Sequence, residues 1–141
     1  MIIIDLARAR QLLARAVGTQ GRDFVYNTRP GGRCLYMTFE ECKMIHQPVV
    51  GFDTVRFASG AAITGCLIGT ALKLAGVDVL QLGAMSVRES HRAWRAKGLV
   101  DIDPEATRYF QTAQVAQDEG MSWGHAFDNA EEDAKNRYGV K

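Results

Sequence analysis

The stretch DPEATRYFQTAQVAQDEGMSWGHAFDNAEEDAKNRY, Asp103 to Tyr138, decides how this chain is read. It has the form of two helices joined by a tight turn, a C-terminal helical hairpin over 103–138. Asp103 suits a helix cap, Pro104 the first helical position and Gly120 a left-handed stop. Ser122 then caps a second helix that starts at Trp123. Ala106, Tyr109, Phe110, Ala113 and Ala116 make one apolar face, and Trp123, Ala126, Phe127, Ala130 and Ala134 the other. The spacing of Ala116, Gly120 and Ala126 also approaches that of a helix-turn-helix. Asp128, Glu131, Glu132 and Asp133 on the second helix would repel phosphate, and DNA affinity comes mainly from neutralising phosphates. A plain helical hairpin is therefore the stronger reading.

Working outward, Leu6, Ala9, Leu12, Leu13, Ala16 and Val17 recur at helical spacing after Asp5, and Gly18 is the expected stop. Phe24-Val25-Tyr26 and Cys34-Leu35-Tyr36-Met37 flank the turn signal Arg29-Pro30-Gly31-Gly32, which predicts a β-hairpin over about 23–37. Thr38 with Glu41 forms a capping box for a short helix ending before Pro48. Residues 48–60 follow no period. Ala62 to Ala75 reads as an almost wholly apolar helix, ended by Gly76 and expected at the centre of the core. Ser86 with Glu89 opens another helix running to Lys97, and Val100-Asp101-Ile102 reads as a connector. The expected fold is α+β, mostly α: a single domain over 1–141, with five or six helices and the small hairpin.

The chain has 141 residues, long enough to bury a core, and its hydrophobic 47% and charged 23% argue against global disorder. The formal net charge of +1 hides a split. Residues 1–102 carry a surplus of basic groups and 103–141 a surplus of acidic ones. Such halves attract each other, or present faces to charged partners. Asp5 and Arg8 interrupt the apolar start too soon for a signal peptide, and no segment reaches membrane-spanning length. Three cysteines, an odd count, suit a reducing compartment, so a cytoplasmic location with no membrane association is expected.

Arg88, Arg92 and Arg95 share one helix face and could hold phosphate or a carboxylate-rich partner. The opposing candidate surface is acidic: Asp128, Glu131 and Glu132. Cys34, Cys42, His46 and Cys66 supply four zinc-type ligands, but no CxxC knuckle joins them, so no metal and no cofactor is expected. No nucleophile elbow, phosphate loop, HExxH or dinucleotide fingerprint is present, and no catalytic residue is assigned.

Val25-Tyr26 with Cys34-x-Tyr36, then Gly65-Cys66-Leu67-Ile68-Gly69, then Ala116-Gln117-Asp118-x-Gly120-x-x-Trp123-Gly124-x-Ala126, resembles small uncharacterised proteins of actinobacteria and their phages. That resemblance implies no activity. It implies an accessory protein that acts on a host protein. The expected function is a non-enzymatic protein-binding or regulatory module, with a helix-turn-helix nucleic-acid-binding protein as the alternative. The expected partner is another protein rather than nucleic acid. Self-association is compatible with surfaces of opposite sign.

Overall fold

The computed structural model describes residues 2–26, 67–77 and 100–141. In chain order they form β1 (Ile2–Ile4), α1 (Leu6–Gln20), α2 (Leu67–Leu74), β2 (Val100–Ile102), α3 (Pro104–Asp118) and α4 (Trp123–Tyr138). The described part is mostly helical with one small sheet, in keeping with the expected class. The second arm of the hairpin, the helices expected after Thr38 and Ser86, and residues 48–60 lie outside the described residues.

The sheet is one that local sequence signals do not reveal. β1 and β2 pair in parallel, Ile2 with Val100 and Ile4 with Ile102. Each strand runs into an aspartate that caps a helix of 15 residues. The Asp5 carboxylate accepts the Arg8 N–H at 2.7 Å, and that of Asp103 accepts the Ala106 N–H at 2.7 Å. Val100–Ile102, expected as a connector, is thus a strand because β1 lies beside it. Ile4, Val100 and Ile102 face the core, and Ile3 faces solvent.

Helix α1 buries the predicted stripe of Leu6, Ala9, Leu12, Leu13, Ala16 and Val17. It runs through Gly18 and stops at Gly21, where φ is +92°. A glycine inside a helix costs only about 1 kcal/mol, and the turn beyond it makes its own bonds: the Thr19 hydroxyl donates to the Ala16 carbonyl at 2.6 Å and the Gly21 N–H to that of Val17 at 2.8 Å. Helices α2 and α3 close with the same bond pair. The Gly76 and Val77 N–H groups donate to Lys73 and Leu72, and those of Gly120 and Met121 donate to Gln117 and Ala116. Both patterns need a left-handed residue, which glycine adopts without strain.

Of the four described helices, α1 and α3 each touch the other three, and α2 and α4 each pack on both of them. The apolar helix around Leu67–Leu74 was expected at the centre. It is buried at Leu67, Ile68, Gly69, Ala71 and Leu72, and among the described residues it packs on α1 and α3. Ala106, Ala113 and Ala116 give α3 a low profile that lets neighbours approach, and it carries Thr107, Gln114 and Gln117 into the interior. Among the described residues no helix is long and apolar enough to cross a membrane.

The segment after α1 straps down the start of α4. The Trp123 N–H donates to the Phe24 carbonyl at 2.8 Å, and the Gly124 N–H to that of Arg22 at 2.9 Å. Val25 forms an antiparallel bridge with Ser122, so the described pairing of the expected hairpin's first arm is with the α3–α4 turn. The Phe24 ring meets the Trp123 indole edge-on at 4.7 Å. A Cβ on Gly124 would lie 2.7 Å from the Arg22 Cβ and 2.9 Å from its carbonyl oxygen. Gly124→Ala gains up to about 1 kcal/mol of helix propensity but must displace backbone, which typically costs about 1–3 kcal/mol. We expect a net destabilisation of about 1–2 kcal/mol in urea unfolding. Unchanged stability would mean that the strap yields freely.

Candidate functional site

Helix α4 carries the described part of the predicted surface, and its placement follows from its caps. The Ser122 hydroxyl accepts the His125 N–H at 3.2 Å, and Gly139 ends the helix in the left-handed region, its N–H bonded to the Lys135 carbonyl. Trp123, Gly124, Ala126, Ala130 and Ala134 point inward. His125, Asp128, Glu132 and Asn136 follow one another at helical spacing along the exposed side.

The three predicted acids have different surroundings. Glu131 is only 17% exposed and receives a two-pronged bond from Arg10, Nε to Oε2 and Nη2 to Oε1, each 2.9 Å. The Tyr109 hydroxyl donates to the same Oε2 at 2.8 Å. Arg10 also reaches the Lys141 carbonyl at 3.1 Å, tying the segment after α4 to α1. Asp128 pairs with Arg22 on the strap, with both side chains more than half exposed. Glu132 lies open to solvent. Asp133, not among the predicted residues, sits between Arg108 and Arg137, each with Nε at 3.1 Å. The Arg10 and Arg22 pairs join the basic N-terminal half to the acidic C-terminal one. That is the attraction between halves which the charge split suggests.

Electrostatics separates a clamp from a reactive group here. The bonds from Arg10 hold the Glu131 carboxyl below its ordinary range, against the opposing effect of burial. Those from Arg108 do the same for Asp133. Burial, and then the bond to Glu131, push the Tyr109 phenol well above its usual value, so it stays a donor at neutral pH. An ionised, doubly engaged carboxylate is a weak proton acceptor, so Glu131 suits structural fastening better than general-base chemistry. A depressed carboxyl stabilises the fold above its unfolded pKa of about 4.3, and that contribution is lost as pH falls through the folded value. Stability should therefore drop on acidification below about pH 5, and Glu131→Gln should flatten the drop. At neutral pH the same variant should lose about 1–2 kcal/mol, reduced from a buried pair's value by partial exposure. A pH dependence of Tm identical to the parent's would remove Glu131 as a contributor.

Behind this surface lies a polar hub that the sequence did not flag. Gln117 is fully buried, and its Oε1 accepts the Leu67 backbone N–H at 2.7 Å and the Trp123 indole N–H at 3.1 Å. Gln114 and Gln117 both donate to Asp118 Oδ1, at 2.8 and 3.3 Å. Gln117 falls on the inner side of α3 by helical spacing, which is the one signal that could have found it. Arg88, Arg92 and Arg95, and the ligand set Cys34, Cys42, His46 and Cys66, lie outside the described residues. No protein-family model, curated protein or solved structure matches this chain.

Proposed function

We propose that the chain is a non-enzymatic binding module that meets another protein through the outer side of α4, with Arg88, Arg92 and Arg95 as the basic part of its surface. One observation carries this choice over the helix-turn-helix alternative. A groove-reading helix presents its N-terminal residues to base edges. In α4 the first residues, Trp123 and Gly124, are buried under Arg22–Phe24, and their N–H groups are bonded to that strap. What α4 leaves open is a polar flank of His125, Asp128, Glu132 and Asn136 on a helix anchored at both ends. Such a rigid, polar surface suits a protein partner better than a phosphate backbone. An accessory role on a host protein rests on the resemblance to small phage and actinobacterial proteins alone.

The test is a pull-down from host lysate with the full tagged chain, with and without nuclease. A stoichiometric protein that survives nuclease supports the proposal, and loss of all captured material on nuclease treatment supports the alternative. Charge reversal of Arg88, Arg92 and Arg95, or Glu132→Lys, should abolish capture with Tm nearly unchanged. Capture that persists in both variants sinks the surface assignment.

A further inference from the structure

We draw no further inference here: the strongest candidate, the N-termini of α1 and α3 at the ends of the paired strands β1 and β2, is two helix ends already capped by Asp5 and Asp103, and nothing else among the described residues there points to a ligand.

Discussion

Gln117→Leu is expected to destabilise the protein by about 2–5 kcal/mol. One side-chain oxygen serves two buried donors, the Leu67 N–H and the Trp123 indole N–H. Leucine has nearly the right volume but no acceptor, so both donors lose their partner away from water. An orphaned buried donor costs about 1–3 kcal/mol, so two cost about 2–6 kcal/mol, and the easier burial of leucine's apolar side chain offsets about 1 kcal/mol at the upper end. Against a typical total of about 5–15 kcal/mol this is a large fraction. The bond geometry also fixes the amide orientation, since only the oxygen can face two N–H groups. A double-mutant cycle with Trp123→Phe isolates one of the two bonds. In the phenylalanine background the leucine substitution should cost about 1 kcal/mol less, because the indole donor is already gone. Urea unfolding of the four proteins measures this. A loss under about 0.5 kcal/mol in Gln117→Leu would show that the hub is not a stabilising feature.

Trp123→Ala should have the largest effect, about 3–5 kcal/mol for removing a fully buried large aromatic. Among the described residues Trp123 is the largest fully buried side chain, and it joins α4 to the strap and to α3. Its ring packs on Phe24 of the strap, its indole N–H reaches Gln117 of α3, and its backbone N–H bonds the Phe24 carbonyl. The edge-on aromatic contact adds about 0.5–1.5 kcal/mol beyond the area buried. Losing the indole should therefore loosen the strap as well as the core, and trypsin should cut after Arg22 faster than in the parent. Because the alanine variant could unfold altogether, Trp123→Phe supplies the graded comparison. It keeps a ring against Phe24 and should leave cleavage at Arg22 close to parental. Equal cleavage rates in parent and alanine variants would separate the strap from the tryptophan.

The two substitutions converge on a place that no charge pattern marks. The notable surface signals were the basic helix face and the acidic run on α4. Two of the three predicted acids, Glu131 and Asp128, have partners on α1 and on the strap. Glu131 was legible as a charged helix residue, but its burial was not. It is set by Arg10 and Tyr109, which approach from two other helices. Asp133 shows the same gap, because Arg137 is one helical turn away in sequence whereas Arg108 comes from α3.

The sequence by itself determined most of the punctuation of the described helices, Gly18 being the exception, since α1 runs through it to Gly21. Asp103, Gly120 and Ser122 act through bonds that span three to five residues, so their meaning is local. The same holds for the left-handed Gly76 and for the buried stripe of α1, which follows from helical period alone. Only the tertiary structure decided the parallel pairing of β1 with β2, the packing of α3 against the three other described helices and the burial of Gln117. A three-residue strand has too few bonds of its own to exist without its partner, and that partner is distant in sequence. A glutamine enters a core only where specific donors meet it, and here they come from α2 and α4. Local bonding writes its rules in neighbouring residues, whereas the pairing of distant groups appears only when the chain has brought them together.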